Sequence, residues 1–204
     1  IVYSATKKEF AADVLANRIE KSILSSFVRE MGHTTGRAEI SSWRNSMLYM
    51  NNVVADPDIP DDTGIAIEYK IPQTSKRIDF ILTGIGEENR KTAILIELKQ
   101  WSEAESTTMD GIVRTFVGGN IREVSHPSNT GVQNENISLI PCAYLHNYEP
   151  DGVITSDFYK EYIDKAPVFL RPDAIKLREF IKKFVKKGDL GELLYTIEHG
   201  KIRP

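Results

Sequence analysis

The first quarter of the chain carries apolar side chains at the period of a helix. Within residues 7–30 they recur every three or four positions with charges between them, which predicts an amphipathic helix. Residues 31–36, MGHTTG, interrupt the pattern, and a second helix is predicted over residues 37–54. The side chains predicted to be buried are Phe10, Val14, Ile19, Ile23, Leu24 and Phe27 in the first helix and Trp43, Met47, Leu48 and Met50 in the second.

Beyond residue 64 the apolar positions alternate, which is typical of strands. Strands are predicted in GIAIEYKIP (64–72), KRIDFILT (76–83), KTAILIELKQW (91–101) and ISLIPCAYLHNY (137–148), and IVRTFVGGNIREVS (112–125) predicts a hairpin turning at Gly118 and Gly119. Residues 156–166 and the segment from Asp173 to about His199, broken near Gly188, predict helices. This order predicts one α/β domain over residues 1–204, with a mixed central sheet flanked by helices and a helical extension from about residue 156.

The loop GIGEENRKT (84–92) fixes how the second and third strands pair. If the loop is symmetric about Glu88, Asp79 and Glu97 lie nine residues on either side and face each other in an antiparallel pair. One face then carries Ile78, Phe80, Leu82, Ile94, Ile96 and Leu98, and the other carries Arg77, Asp79, Ile81, Leu95, Glu97 and Lys99. The sequence therefore predicts that Asp79, Glu97 and Lys99 converge.

Two carboxylates facing each other on apolar strands need a compensating charge, because like charges opposite each other are destabilising and desolvation adds to the cost. Lys99 and Arg77 could supply it, which would make the cluster an ordinary ion-pair network. A divalent cation is the other possibility, since hard carboxylate oxygens suit Mg²⁺ or Mn²⁺. The spacing leaves both interpretations open.

Composition narrows the classes of function. The net charge is −3, so any nucleic-acid binding depends on a local basic patch. The single cysteine, Cys142, excludes a disulfide within the chain, and the start IVYSATKKEF lacks the apolar core of a signal peptide. Apolar runs fall far short of the roughly 20 residues that span a bilayer. We therefore expect a cytoplasmic protein that does not contact a membrane.

Several common chemistries lack their motifs. The four histidines are scattered, which argues against a zinc site of ordinary spacing. Neither the G-x-S-x-G elbow of hydrolases nor the G-x-x-x-x-G-K-[ST] loop of ATPases occurs.

The motif RIDF on one strand, followed eighteen residues later by IELK on the next, resembles the PD-(D/E)XK nuclease superfamily. The stretches IVYSATKKEF, SWRNSMLYM, GIAIEYKIPQTSKRIDFILTG, IELKQW and PCAYLHNY together are similar to the N-terminal region of bacterial proteins in which a Schlafen-type superfamily I DNA/RNA helicase domain follows. This resemblance covers most of the chain. It implies a restriction-endonuclease-like fold and a C-terminal extension that leads to a helicase domain outside these 204 residues.

The resemblance also assigns roles to residues. Asp79, Glu97 and the carbonyl of Leu98 are expected to bind Mg²⁺ or Mn²⁺. Lys99 would orient or deprotonate the attacking water or neutralise the charge that develops on phosphorus. Glu39, on the early helix, fits the further acid that the superfamily often adds, although a glutamate in a first helical turn is also favoured by the helix dipole.

Other candidates have a structural interpretation beside the functional one. Arg77 could hold a phosphate or pair with Glu68. Glu68 and Gln100 could also support the metal ligands from behind without touching the metal. His126 could contact the scissile phosphate or be buried for packing, and Trp101 could stack on a base or pack. The basic helix KLREFIKKFVKK (176–187) could bind a nucleic-acid backbone through Lys182 and Lys183, or present a solvated face or a contact for the helicase. On this helix Lys176, Lys182, Lys183, Lys186 and Lys187 are predicted to point outward.

One departure from the family lies after residue 128. In members of the family, His-Pro-Ser runs into a helix that carries Gln and Tyr about one turn apart. Here His126-Pro127-Ser128 is followed at once by Asn129-Thr130-Gly131, so a segment expected to line the site is missing from the sequence.

The predicted function is a metal-dependent nuclease domain that hydrolyses phosphodiester bonds, in DNA rather than RNA. By resemblance it belongs to a bacterial nuclease–helicase involved in DNA processing or defence against phage. The alternative is a catalytically inactive module that keeps the fold and serves nucleic-acid binding or docking to a helicase.

Overall fold

A six-stranded mixed sheet forms the centre of the protein. The structure, a computed structural model, describes residues 1–31, 37–70, 77–117, 119–130 and 136–199. The strands are β1 (Tyr3–Thr6), β2 (Gly64–Lys70), β3 (Arg77–Ile85), β4 (Lys91–Lys99), β5 (Glu105–Ser106), β6 (Ile112–Val117), β7 (Asn120–Ser125), β8 (Ser138–Leu145) and β9 (Val168–Leu170). The central sheet has the order β1-β2-β3-β4-β8-β9; its first four strands are antiparallel, and β8 and β9 continue parallel to β4.

Helices cover both faces of this sheet. They are α1 (Lys7–Leu15), α2 (Ile19–Met31), α3 (Arg37–Val54), α4 (Lys160–Lys165), α5 (Ala174–Phe184) and α6 (Glu192–His199). Side chains of α1, α2, α3 and α5 pack with Phe80, Leu82, Ile94 and Ile96 on one face, and α6 packs with Ile81 and Leu95 on the other. The predicted α/β class with a mixed sheet flanked by helices is therefore confirmed. Within the described ranges, no helix combines the length and apolar character needed to cross a bilayer.

The β3–β4 hairpin has the register that its loop predicts. Phe80 pairs with Ile96 and Leu82 with Ile94, which places the centre of symmetry at Glu88. The turn is a short 3-10 helix, Glu87–Asn89, in which Glu88 has a left-handed backbone with φ of 58°. Alternation then sends the predicted apolar side chains of the two strands into the core. Ile78 is the exception, because it packs with Ile81 and Leu95 on the opposite face from the predicted one.

The N-terminal predictions need three corrections. The helix predicted over 7–30 is two helices, because the chain turns at Asn17, whose φ is 57°. Leu48 is 48% exposed rather than buried, and Val53 and Val54 fill the core one turn later. The strand β1 was not predicted, since four residues are too few to show an alternating pattern. Of the predicted break at 31–36, Met31 still belongs to α2, and residues 32–36 lie outside the described ranges.

The C-terminal segment is built into the core rather than appended to it. Its three-residue strand β9, which was not predicted, forms the edge of the central sheet beside β8. Leu177 and Ile181 of α5 are fully buried on one face of the sheet, and Ile197 of α6 is 1% exposed on the other. The predicted helices are present, but they cover the sheet instead of extending beyond it; residues 200–204 lie outside the described ranges.

The predicted hairpin at 112–125 belongs to a second, three-stranded sheet of order β5-β6-β7. Its buried residue Val113 packs with Ala143 and Leu145 at the end of β8 and with Tyr159. The turn includes Gly119 with φ of 83°, whereas Gly118 lies outside the described residues. This packing places the hairpin beside the C-terminal ends of β4 and β8.

The burial of α6 predicts a large loss of stability when its apolar face is truncated. Ile197→Ala should lower the free energy of unfolding by about 2–5 kcal/mol, because it leaves a cavity against the sheet. Tyr195→Ala, on the exposed side of the same helix at 69% exposure, should change it by less than about 0.5 kcal/mol. Urea unfolding followed by circular dichroism measures both; similar values for the two variants would contradict the core assignment of α6.

Candidate active site

The open end of the β3–β4 hairpin comprises Arg77–Asp79 and Glu97–Lys99. Asp79 leaves the regular sheet at this end. The β2–β3 ladder pairs Ile67 with Phe80 and Tyr69 with Ile78 but skips the pair between them, Glu68 and Asp79. The β3–β4 ladder likewise ends at Phe80. The carboxylate of Asp79 turns toward β4, where its Oδ2 accepts the backbone N–H of Leu98 at 2.9 Å.

The irregular residue on the neighbouring strand is Glu68. Its φ is 55°, a left-handed conformation that costs a non-glycine residue about 1–2 kcal/mol. The interruption at Glu68 and Asp79 breaks the alternation of β3, which explains why Ile78 faces the side opposite to the predicted one. Local backbone strain is therefore concentrated where Glu68 and Asp79 interrupt the ladder.

Glu97 and Lys99 converge with Asp79, as the alternating pattern predicts. The Lys99 ammonium lies 3.1 Å from Glu97 Oε1, and both side chains are partly buried. Arg77 lies 3.7 Å from Glu68, whose side chain is only 9% exposed. When the carboxylates of Asp79, Glu97 and Glu68 and the side chains of Lys99 and Arg77 are all ionised, these five groups carry one net negative charge.

The neighbouring negative charges affect the pKa of Asp79. Burial raises the pKa of Asp79 well above its usual range, and repulsion by Glu97 and Glu68 raises it further, against the opposing effects of Lys99 and the Leu98 N–H. Burial by itself would lower the pKa of Lys99, but attraction to Glu97 and Asp79 outweighs it and the pKa is raised. Lys99 is therefore protonated at neutral pH.

A cleft of about 410 Å³ opens beside these residues. Among the described residues its wall consists of Arg77, Ile78, Leu95, Glu97, Lys99, Trp101, Val117, Val124, Ser125, His126, Pro127, Asn129 and Thr130, whereas Asp79 is not part of it. Lys99 also lies over the Trp101 ring, 5.5 Å from its centroid. Sequence reasoning missed the wall formed by Val117 and Val124, because no local pattern shows that the second sheet packs here.

Gln100 anchors helix α3 to the end of β4. Its side-chain amide donates to the hydroxyl of Ser42, and its backbone carbonyl accepts from the Asn147 side chain at 3.4 Å. One turn further along α3, the Ser46 hydroxyl lies 3.3 Å from His146 Nε2. Gln100 therefore acts on the site through the position of α3. Glu39 lies on the same helix one turn before Ser42, and its side chain is outside the described part of the structure.

His126 lines the cleft but has no ring nitrogen available for a phosphate. Its Nδ1 accepts the backbone N–H of Ser128 at 3.1 Å, so Nε2 carries the proton and donates to the Ile154 carbonyl at 2.8 Å. Burial lowers the pKa of the imidazole, and the ring stacks on Tyr159. The arrangement supports the packing interpretation of His126; residues 131–135, which follow it, lie outside the described ranges.

Lys182 and Lys183 lie away from this site. Helix α5 packs on the sheet face opposite to Leu95, and Lys183 borders a separate cavity with Arg90 at the start of β4, roughly 25 Å along the strand from Lys99. The prediction that Lys182 points outward is wrong, because its ammonium pairs with three carboxylates: Asp56 at 3.2 Å, Asp58 at 3.6 Å and Glu179 at 3.0 Å. Of the two predicted phosphate contacts on this helix, only Lys183 is exposed.

The donor set fits a hard divalent cation. Asp79 and Glu97 provide two carboxylates, and the charge of Glu97 acts on Asp79. Mg²⁺ commonly binds one or two carboxylates, with water and phosphate completing its shell. Among the described residues, no group of three or more metal-binding side chains of the histidine, cysteine or acidic type is close enough to hold an ion.

Comparisons with known proteins do not add to this geometry. No family model matches the chain, and no curated protein and no solved structure is significantly similar to it. The candidate function therefore rests on the side chains at the open end of the β3–β4 hairpin and on the motif that they form in the sequence.

The raised pKa of Asp79 predicts that the contribution of this one group to stability falls as the pH rises. An unfolded aspartate ionises near pH 4, whereas the folded one keeps its proton to a higher pH, so the native state binds more protons between the two pKa values and loses stability there. Asp79→Asn cannot ionise and should remove this decline, so that it is more stable than the wild type at pH 7.

Urea unfolding at several pH values between 4 and 8, in EDTA, measures this difference. Glu87→Gln, on the exposed turn of the same hairpin, is the matched control and should keep the wild-type slope. An Asp79→Asn protein whose stability falls with pH as steeply as that of the wild type would contradict the prediction.

Proposed function

We propose that the chain is a metal-dependent nuclease domain of the PD-(D/E)XK type with a restriction-endonuclease-like fold. The observation that carries the proposal is a desolvated carboxylate, Asp79, held across from Glu97 and Lys99 where the β3–β4 hairpin opens into a cleft. These are the residue types and strand positions to which the resemblance assigns phosphodiester hydrolysis. A purely structural sheet gains nothing from two carboxylates placed together.

The proposed roles follow from this arrangement. Asp79 and Glu97 would hold Mg²⁺ or Mn²⁺, with the Leu98 carbonyl as a further ligand. When bound, the cation would lower the pKa of a water molecule and polarise the phosphate. The N–H of Leu98 fixes one oxygen of Asp79 at 2.9 Å, which leaves the other oxygen for the cation.

Lys99 is proposed to act on the attacking water or on the phosphate. Without a bound cation, attraction to Glu97 and Asp79 raises the pKa of Lys99, so its side chain is an ammonium at neutral pH. It can donate hydrogen bonds to the attacking water and to a phosphate oxygen, where its charge stabilises the negative charge that develops during attack. Its contact with Glu97 holds it at the wall of the cleft for this purpose.

The biological setting is proposed from the resemblance. The substrate would be DNA rather than RNA, the location the cytoplasm, and the partner a helicase domain in the same or a longer chain. Glu39 would contribute the further acid expected from the early helix, which the contact between Ser42 and Gln100 brings to the end of β4.

A non-catalytic docking or nucleic-acid-binding module is the second candidate. It is favoured by the internal pairing of the site, since Glu97 binds Lys99, Asp79 accepts a backbone N–H and Arg77 pairs with Glu68. Such a network is complete without a cation if Asp79 stays protonated. The two candidates differ in whether a cation replaces that proton.

The nuclease proposal predicts metal-dependent cutting. The wild-type chain should cleave labelled DNA with Mg²⁺ or Mn²⁺ and not with EDTA. Asp79→Ala and Lys99→Ala should each lower the rate by at least about 100-fold, the scale expected for losing a group that acts on the transition state.

Circular dichroism serves to show that these variants fold, and isothermal titration of Mn²⁺ should show binding that is lost in Asp79→Ala. Lys165→Ala, a change on the surface of α4, controls for the loss of a lysine. Cleavage that persists in Asp79→Ala would contradict the assignment of the site.

The two candidates can be separated at Lys183. If DNA binds in the cleft, Lys183→Ala should leave both the affinity for DNA and its salt dependence unchanged, because this side chain lies at the far end of the sheet. Fluorescence anisotropy at several salt concentrations measures this. Weaker binding with a salt slope reduced by about 1 would instead place the DNA along α5 and favour the module without catalysis.

A further inference from the structure

Glu68 differs from every other left-handed residue in the described ranges. Apart from the glycines, these residues are Asn17, Glu68, Glu88, Asn89 and Leu190. The other four lie in turns, where positive φ is ordinary. Glu68 lies inside strand β2, is 7% exposed, and stands at the pair that the β2–β3 ladder skips. A strained residue kept in a strand beside a candidate site indicates a functional constraint.

The side chain of Glu68 reaches a cation on the cleft wall. Arg77 is the first residue of β3, lines the cleft, and lies 3.7 Å from the Glu68 carboxylate. The Arg77 side chain is 35% exposed, whereas that of Glu68 is 9% exposed. One end of the pair is therefore fixed in the protein and the other faces the space beside Glu97 and Lys99. An arginine fork held in this way is suited to a phosphate, which it binds through paired N–H donors.

We infer that Glu68 is a positioning residue that holds Arg77 at the cleft wall to bind a backbone phosphate of the nucleic-acid strand. The left-handed backbone at Glu68 performs two functions together, since it lets Asp79 leave the ladder and directs the carboxylate toward Arg77. This inference rests on the proposed nuclease function. It adds a binding contact separate from the groups that act on the reacting phosphate.

The test compares Arg77→Gln, Glu68→Gln and the double variant of the full 204-residue chain. Fluorescence anisotropy with a labelled single-stranded and a labelled double-stranded DNA oligonucleotide gives Kd, and cleavage with Mn²⁺ gives kcat and KM. Arg77→Gln should raise Kd and KM roughly tenfold, the effect of losing one charge-assisted partner. Glu68→Gln should raise them roughly threefold or more, and should add nothing in the double variant.

Two further variants make the comparison specific. Glu88→Gln changes the same residue type with the same left-handed backbone, at the opposite end of the hairpin, and should leave Kd and KM unchanged. Glu68→Gly removes the carboxylate while accepting the left-handed backbone without strain, so it replaces Glu68→Gln if that variant does not fold.

The outcomes separate this inference from the function beneath it. Non-additive losses in the Glu68 and Arg77 variants, with Glu88→Gln unaffected, support it. Unchanged Kd and KM in Glu68→Gln, or effects that multiply in the double variant, would overturn it while cleavage by the wild type stands. A wild-type chain that neither binds nor cuts DNA would overturn the proposed function, and this inference with it.

Discussion

The structure depends on the burial of one carboxylate. Asp79 lies where the β2–β3 and β3–β4 ladders are both interrupted, and its Oδ2 takes the N–H of Leu98 in place of a regular sheet contact. Its environment opposes its negative charge, because burial, Glu97 and Glu68 all raise its pKa. Lys99 and the N–H of Leu98 offset these effects only in part. A cation or a proton is needed to complete the balance, and the chemistry of the site follows from which one it holds.

The surrounding fold keeps this cluster at one end of the sheet. The strands β4 and β8 run parallel and end together, and ligand sites in such sheets commonly form beyond the carboxyl ends of parallel strands. Helix α3 is fixed to these ends through Ser42 and Gln100, and the small second sheet supplies the facing wall through Val117 and Val124. Apolar layers pack on both faces of the central sheet, and the regular pairing of the hairpin extends as far as Phe80, next to Asp79.

The local pattern predicted the hairpin and its acids well because short-range physics determines them. A tight symmetric loop fixes the register, and alternation then places Asp79, Glu97 and Lys99 together. It did not predict features set by distant partners. Strand β9 has only three residues, and its place beside β8 is not encoded locally.

The same reason explains the side chains that were placed wrongly. Lys182 follows the pattern of a solvated helix face, but a loop that includes Asp56, 126 residues earlier in the sequence, brings Asp56 and Asp58 to it. The strained backbone of Glu68 reverses the face of Ile78, and no periodic pattern contains that information. The wall of the cleft likewise depends on packing between two sheets.

A second acidic cluster in the same protein shows what an ordinary ion-pair network does to a carboxylate. Asp56 accepts the backbone N–H of Asp58 and pairs with Lys182, and both contacts hold the pKa of Asp56 below its usual range. The surroundings of Asp56 therefore stabilise its negative charge. Asp79 shifts in the opposite direction although two cations are near, because it is enclosed and two other carboxylates compete for those cations. A network selected only for stability has no reason to place a third carboxylate at this point, or to strain Glu68 to admit it. The direction of the pKa shift, rather than the number of charges, therefore distinguishes Asp79 from the carboxylate of an ordinary ion pair.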